Sequence, residues 1–574
     1  MARQWLISAP AADLSAAVRR WQVPAVVAQL LLNRGLSADQ PAGAFLTPQL
    51  KDLYPPGRLS AATEAAARIV EAIRSQSKIV LYGDYDVDGT TGVAILWHAL
   101  NRAGATVEFY VPHRIEEGYG LNPDAVRRLI QDGARMIITV DCGITAVEEA
   151  EALAEAGVHL IITDHHALHD PIPRADAIVH PGLDDGYPNP DLSGAGVALK
   201  LAWAIGLEIA GADRVGPDFR NLLVEMLPLA ALGTIADVVP LSGENRIIAR
   251  HGLEGLVTTP LPGLRALIES AGLGGGKISG YDVGFKLAPR INAAGRMGHA
   301  RLAVELLTRA DQDRAREIAF YLEEHNRSRQ ATERQITRQA VEMIERDHLA
   351  GDARRAIVLA SEGWHAGVIG IVAARIVDRF HRPTIMIALA DGRGQGSGRS
   401  IQHFDLSAVL ASCSEHLLSY GGHAMAAGMR IAEDRIESFT EAFVRIANNR
   451  LTGEDLIPKL RIDAVVALDE LTMPTAEAIV GLGPFGIGNP RPRLASDWIE
   501  LADEPRCVGQ HGQHLQASFR QHDVCVKGIG FGLGALLQDL KQHRRCRVAF
   551  EPLINEFNDR RTVEMQMIDF KFPS

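Results

Sequence analysis

Three short apolar runs each end abruptly in acidic or imidazole side chains, and this recurrence constrains the fold more than any other feature of the chain. KIVLY (78–82) leads through Gly83 into Asp84, Asp86 and Asp88; RMIITV (135–140) leads into Asp141; VHLIIT (158–163) leads into Asp164, His165 and His166. Helical runs such as DAVRRLIQDG (124–133) and AVEEAEALAEAG (146–157) separate them. Short β-branched runs alternating with amphipathic helices predict a mainly parallel sheet with right-handed crossovers. In such a sheet the three strand ends lie on one edge, where open α/β sheets present their sites. Alone, DYDVDG also reads as an acidic turn. Acidic loops arising by chance, however, would be scattered over both edges.

Clustered carboxylates repel one another, and a bound divalent cation relieves the repulsion. Carboxylates with histidine and without cysteine suit Mn²⁺ or Mg²⁺ rather than structural zinc. Two such ions roughly 3.5–4 Å apart can bridge a phosphate, activate a water and stabilise the leaving oxygen. The chemistry expected is therefore metal-assisted hydrolysis of a phosphoester or phosphoanhydride. Asp237, a lone acid in LAALGTIADVVPL, is a further candidate, since a buried acid needs a partner. A helix cap or a buried ion pair would explain it equally well. Of two adjacent histidines, one is often a packing or supporting residue.

A chain of 574 residues implies several domains, and its net charge of -11 provides no general basic surface. Any contact with nucleic acid then requires local positive charge. Five cysteines without CxxC spacing argue for a reducing compartment and against zinc. The N-terminus lacks the apolar core of a signal peptide. The most apolar run, Leu222 to Leu241, is interrupted by Glu225, Pro228 and Asp237 and is not expected to span a bilayer. A soluble cytoplasmic protein with no membrane partner is expected.

Elsewhere the chain offers less specific signals. FYVPHRIEEGYGLN (109–122) places Arg114 after a strand and Tyr119 in a glycine-flanked turn, a pairing suited to phosphate contact with base stacking, or to an ordinary solvated turn. KLAPRINAAGRMGHAR (286–301) carries Lys286, Arg290, Arg296 and Arg301 with no acid between them, a local basic patch. GGGK (274–277) lacks P-loop spacing. Residues 311–346 contain neither Pro nor Gly and read as a long exposed helix setting the distance between two domains. After it, α/β pattern returns, with DGRGQGSGRS (391–400) read as a glycine-rich segment able to approach a ligand, or as a flexible hairpin. Trp364 and His365 read as packing and as the start of a helix. Beyond about residue 455, evenly spaced short strands predict a small barrel.

DYDVDG, VDCG and TDHH, in that order, resemble the motif series of the DHH phosphoesterase superfamily. From about residue 50 onward the chain is similar to the bacterial RecJ family of single-strand-specific 5′→3′ exonucleases. The resemblance implies that Asp86, Asp88, Asp141, His165 and Asp237 hold two Mn²⁺ or Mg²⁺ ions. It implies that His166 acts on the scissile phosphate, and Asp84 matches the first acidic position, read as supporting His166; catalytic roles fall to His166, Asp84 and Asp141. Arg114, Tyr119 and Arg296 become substrate contacts, Ser397 and Arg399 a 5′-phosphate pocket, and His423 a nearby contact.

The implied architecture is a multidomain α/β protein. It comprises a helical segment (1–50), a mainly parallel α/β DHH catalytic domain (51–310), a connecting helix (311–350), a smaller α/β DHHA1 substrate domain (351–452) and an OB-like β-barrel (453–574). The implied function is release of 5′-mononucleotides from single-stranded DNA in repair and recombination, a duplex being excluded by an aperture between domains. The protein would act as a monomer, with single-strand-binding protein and a recombination or repair helicase as partners. The alternative is a DHH phosphodiesterase for short oligonucleotides or cyclic dinucleotides, relatives that generally lack the barrel. A DNA-binding scaffold of the same descent would have lost the acidic motifs, which are intact.

Overall fold

A computed structural model describes residues 3–573 except 114–116, 185, 297, 298, 352 and 559, with Arg296 described by its backbone alone. The chain divides into two compact units. One is Ile7–Glu323 together with the residues from Ile462 onward; the other is Glu324–Arg461 with the first residues of the chain.

The larger unit is built on five parallel strands, β1 (Ile79–Gly83), β2 (Val107–Tyr110), β3 (Met136–Val140), β4 (His159–Thr163) and β5 (Ala177–Val179), in the order β2-β1-β3-β4-β5. Alternate side chains of β1 enter two cores. Ile79 and Leu81 pack with Ile69, Val93 and Leu96, while Val80 and Tyr82 pack with Val126, Leu129 and Leu153. Burial on both faces explains why these strands read as unbroken apolar runs. The strand order reverses between β1 and β3, so the carboxylates following those two strands stand at the topological switch point, where a crevice opens.

Asp86 ends the loop after β1 by capping α1 (Val87–Arg102), its Oδ1 accepting the Gly89 N–H at 3.0 Å. Three further helices, α2 (Gly194–Ala210), α3 (Pro217–Ala236) and α4 (Gly243–Leu256), complete this face. Pro228 costs α3 a backbone hydrogen bond without ending it, so the run expected to be interrupted is one helix that stops at Asp237. By length and composition α3 could cross a membrane; 61% of its most apolar stretch is buried within the protein.

Near the C-terminus, strands Ile499–Leu501, His514–Gln521, Val524–Gly530, Arg560–Lys571 and Arg545–Phe557 pair in a closed circuit, each with the next and the last with the first. This is the small barrel expected, closed here by five strands. Residues 1–50, expected as a helical segment, supply the helices Leu14–Trp21 and Ala25–Asn33, whose Trp21, Leu30 and Leu31 share a core with Leu482, Phe519 and Phe550 of the barrel region. Arg246 of α4 fastens these parts together. Its guanidinium lies 3.9 Å over the Phe45 ring and donates to the carbonyls of Phe45 and Leu482, both at 2.9 Å.

The long helix expected before the second unit is α5 (Gln312–Arg346), which contributes its first turns to one unit and the remainder to the other. The smaller unit carries strands β6 (Ile357–Glu362), β7 (Thr384–Ala390), β8 (Arg393–Arg399), β9 (Ser419–Gly422) and β10 (Ala426–Ala432) in the order β9-β10-β8-β7-β6. Only β6 and β7 are parallel. The glycine-rich segment is a hairpin, with its turn at Asp391 and Gly392 and its second arm the central strand β8. A Cβ at Gly394, Gly396 or Gly398 would lie 2.6 Å from Ile387, 2.7 Å from Met429 or 2.5 Å from Ile385. These glycines make room for core side chains. The opposite face of β8 carries Ser397 and Arg399. Trp364 is buried, and His365 caps α6 (Ala366–Phe380), its Nδ1 accepting the Gly367 N–H at 3.0 Å.

Candidate metal and catalytic site

The loops after β1, β3 and β4 and the end of α3 converge at the switch point. Asp88, in the first turn of α1, is 1% exposed, and its carboxylate accepts the first two N–H groups of α2, from Gly194 at 2.6 Å and Ala195 at 3.0 Å. The positive end of α2 thus offsets part of its charge. Asp141 is held in the left-handed region (φ 64°), its N–H bonded to the Thr163 carbonyl at 2.9 Å, so that its carboxylate points back into the crevice. Asp237 follows the last turn of α3, the negative end of that helix, where a carboxylate is disfavoured unless a cation stands nearby. The approach is so close that a Cβ at Gly194 would lie 2.5 Å from Asp141 Oδ1, and one at Gly233 2.4 Å from Asp88 Oδ1.

Burial, then the surrounding carboxylates, push the acids of Asp88 and Asp141 well above the ordinary range, and Asp237 rises to about 7 for the same reasons, burial first and Asp86 second. His165 presents Nε2 to three of these groups, 3.1 Å from Asp141 Oδ1, 3.5 Å from Asp237 Oδ2 and 3.8 Å from Asp88 Oδ2. Burial, reinforced by the neighbouring His166, holds its pKa down to about 4, so the ring is neutral and suited to ligate. Asp141 Oδ1 and His165 Nε2 are both buried and, among the described residues, make no hydrogen bond to each other or elsewhere.

Ligand atoms of Asp88, His165 and Asp237 lie within 4.8 Å of one another, as do those of Asp84, Asp86 and Asp141, and those of Asp141, His165 and His166. The first two trios offer donor atoms for two adjacent cations, and the third links them through Asp141 and His165. A donor set of oxygens and one imidazole, with buried atoms lacking hydrogen-bond partners, fits hard divalent cations. The five acids and His165 expected from the sequence are therefore brought together. Asp84, expected to stand behind His166, is as near to Asp86 and Asp141 as a ligand would be.

His166 is 43% exposed at the rim, and its Nδ1 meets Asp164 Oδ1 at 2.7 Å. Burial lowers its pKa, but the hydrogen bond and charge of Asp164, with Asp237 and Asp84 behind, outweigh burial and raise it to about 9. Asp164 stays low despite complete burial, because it accepts from His166 and from the N–H groups of Ile144, His165 and His166. The group positioning His166 is thus Asp164 rather than Asp84. Tyr119, flanked by Gly118 and Gly120, both at φ 85°, brings its hydroxyl 3.0 Å from His166 Nδ1 and 3.2 Å from the Asp141 carbonyl. Beneath that loop the Tyr82 hydroxyl donates to the Gly120 carbonyl at 3.1 Å and accepts the Asn122 N–H at 3.2 Å.

Arg114 lies outside the described residues, and Arg296 ends the helix Ala288–Arg296 with only its backbone described. The basic patch around Arg296 is weaker than expected. Lys286 pairs with Asp282 at 2.8 Å and Arg290 with Glu323 at 2.7 Å, the second acid coming from a helix distant in sequence. In the smaller unit, Ser397 Oγ and Arg399 Nη1 lie 3.3 Å apart beside Gly370 of α6. Arg399 is half-buried, burial lowers its pKa, and among the described residues no carboxylate lies within ion-pairing distance. His423 is exposed in the turn between β9 and β10, its N–H bonded at 2.8 Å to the carbonyl of Ala426, which pairs with Arg399.

Three family models match: the DHH family N-terminal domain over residues 78–234, the DHHA1 domain over 354–449, and the RecJ OB domain over 462–569. The chain is 39% identical over 570 residues to the single-stranded-DNA-specific exonuclease RecJ of Bacillus subtilis, covering 99% of this chain and 70% of that one. The chain belongs to the RecJ family. RecJ of Thermus thermophilus superposes with a TM-score of 0.84 in its Mn²⁺ complex and 0.78 in its Mg²⁺ complex, at 32% and 30% identity. Both cover all of this chain, with 80% and 79% of the respective RecJ chains matched.

Two residues of this RecJ site were not singled out from the sequence. Asp164 was visible at the end of β4, but nothing separated an orienting carboxylate from a ligand until its four hydrogen bonds were seen. His180 ends β5, the run AIVH, and bonds to the carbonyl of His166 at 2.8 Å. The signal was the repetition of the RecJ pattern itself, a further parallel strand running into an imidazole.

Proposed function

We propose that this chain, a single-stranded-DNA-specific exonuclease of the RecJ family, removes 5′-mononucleotides from the 5′ end of its substrate by two-metal-ion phosphodiester hydrolysis. The observation that carries this reading is Asp141, whose carboxylate stands between Asp84 and Asp86 on one side and His165 on the other. Bound Mn²⁺ or Mg²⁺ supplies charge neutralisation of the phosphate and lowers the pKa of the attacking water. Asp86, Asp88, Asp141, His165 and Asp237 hold the ions, and Asp84 completes the set. His166, kept protonated by Asp164 and half exposed at the rim, donates to the scissile phosphate as negative charge builds on it. Tyr119 fixes the ring from the other side and offers its exposed face to a base.

The terminal phosphate binds Ser397 and Arg399, where a half-buried guanidinium lacks a carboxylate partner among the described residues, and His423 borders the pocket. Arg114 and Arg296 contact the backbone. A groove of about 1050 Å³ begins beside Asp237 and runs to the chain leading into the barrel. Tyr281 and Phe285 stack in it at 4.5 Å, Arg491 lies 5.3 Å over Phe485, and Lys277 adds charge. Exposed rings with cations suit a single strand, and the closed barrel favours a polymer over a dinucleotide. The protein acts as a cytoplasmic monomer in repair and recombination, with single-strand-binding protein and a helicase as partners. Digestion of a single strand labelled at its 5′ or 3′ end, with and without Mn²⁺, tests chemistry and polarity together. Early release of a 5′-labelled mononucleotide is expected, and release of 3′ label first would overturn the polarity.

A further inference from the structure

We propose that His180 is a positioning residue for hydrolysis, holding His166 over the substrate through the backbone of the turn after β4. The inference rests on the reading of His166 as the group acting on the scissile phosphate. His180 is 3% exposed and ends β5, the outermost strand on its side of the sheet. Its two ring nitrogens have different partners, which assigns the tautomer. Nδ1 accepts the Gly182 N–H at 2.9 Å, so the proton resides on Nε2, which donates to the His166 carbonyl oxygen at 2.8 Å. The backbone of His166 is therefore gripped on both sides, its N–H by Asp164 Oδ1 at 3.1 Å and its carbonyl by His180. The ring is oriented separately by Asp164 and Tyr119.

Fixing the ring alone leaves the peptide plane beneath it free to rotate, and rotation would swing the ring away from the rim. A misplacement of about 1 Å in a catalytic group can cost on the order of 100-fold in rate. The described hydrogen bonds of His180 reach His166 and Gly182 and none of the acids proposed to hold the ions, so its loss should leave metal binding intact and slow only the chemical step.

The test compares three variants at saturating Mn²⁺ on a 5′-phosphorylated single strand, each assayed below its own melting temperature. His180→Leu removes both hydrogen bonds. His180→Gln places an N–H near the Nε2 position, whereas His180→Asn reaches only the Nδ1 position, where it can accept from Gly182 but not donate to His166. We expect kcat to fall about 10–100-fold in His180→Leu and His180→Asn, with KM and the Mn²⁺-induced rise in melting temperature unchanged, and most of kcat to return in His180→Gln. Rescue by His180→Asn instead of His180→Gln, unaltered kcat in His180→Leu, or a loss appearing in KM or in the Mn²⁺ response would each overturn the proposal. His166→Ala separates this from the reading beneath it. Full activity in that variant refutes the role of His166 itself. If His166→Ala is slow, adding His180→Leu should slow it no further, and an additional loss of the same size refutes the coupling.

Discussion

The larger unit buries two clusters of charge, and they are handled in opposite ways. In the first, Lys200 and Glu244, each side chain 1% exposed, are paired directly; Lys200 also donates to the Tyr54 carbonyl, and Glu244 accepts the Tyr54 N–H at 2.8 Å and the Tyr187 hydroxyl. Every charge there has an opposite charge and its own hydrogen bonds. In the second, the carboxylates of Asp88, Asp141 and Asp237 face a neutral imidazole, and Asp141 Oδ1 has no hydrogen-bond partner among the described residues. Burial alone therefore does not mark a functional site. What marks it is several carboxylates crowded together with too little opposite charge, whereas Lys200 and Glu244 compensate each other one for one.

The sharpest way to break this contrast is Asp141→Asn. Turnover should fall at least about 10³-fold, the equivalent of several kcal/mol of transition-state stabilisation, while the metal-free melting temperature stays level or rises. A metal-free variant clearly less stable than the parent would mean that the cluster is not repulsive at all. Lys200→Met should do the reverse, because it strands Glu244 as a buried unpaired charge. A loss of about 3–5 kcal/mol in urea or thermal unfolding is expected, with Mn²⁺-dependent hydrolysis per folded molecule retained.

A smaller effect sharpens the comparison from the ligand side. At about 100 times its dissociation constant, Mn²⁺ should stabilise the parent by about 2.7 kcal/mol, visible as a rise in melting temperature. That rise should persist in Lys200→Met and disappear in Asp141→Asn. Smallest is a pH effect in metal-free protein. With its pKa raised to about 7 from the usual 3.8, Asp237 binds more protons folded than unfolded between those values. Stability therefore falls as pH rises through that window. Asp237→Asn should flatten the decline between pH 5 and 8, and saturating Mn²⁺ should remove it from the parent. A parent whose metal-free stability does not fall over that range would contradict the raised acid.

The β1, β3 and β4 ends were legible because two independent regularities coincide there, a short unbroken apolar run and an acid at each C-terminal end. The barrel was legible from strand spacing. What escaped the sequence depends on partners outside the motifs themselves. Lys286 and Arg290 looked like free positive charge until Asp282 and Glu323 were found against them. Gly394, Gly396 and Gly398 read as room for a ligand or as flexibility because the side chains that need their space, Ile387, Met429 and Ile385, belong to other strands. Asp164 was in plain view, but distinguishing an orienting acid from a ligand requires knowing which donors meet it.

The seat of the N-terminal helices also governs how the molecule comes into being. Trp21, Leu30 and Leu31 leave the ribosome well before the rest of their seat, which includes Phe519, Phe550 and Phe570, made some five hundred residues later. The five strands of the catalytic sheet, all between residues 79 and 179, can associate in order of synthesis. The N-terminal helices cannot, and at typical elongation rates of about 5–20 residues per second they wait tens of seconds with their apolar faces uncovered. A chain stalled before the barrel closes would thus present its catalytic sheet complete and its first two helices still seeking a partner.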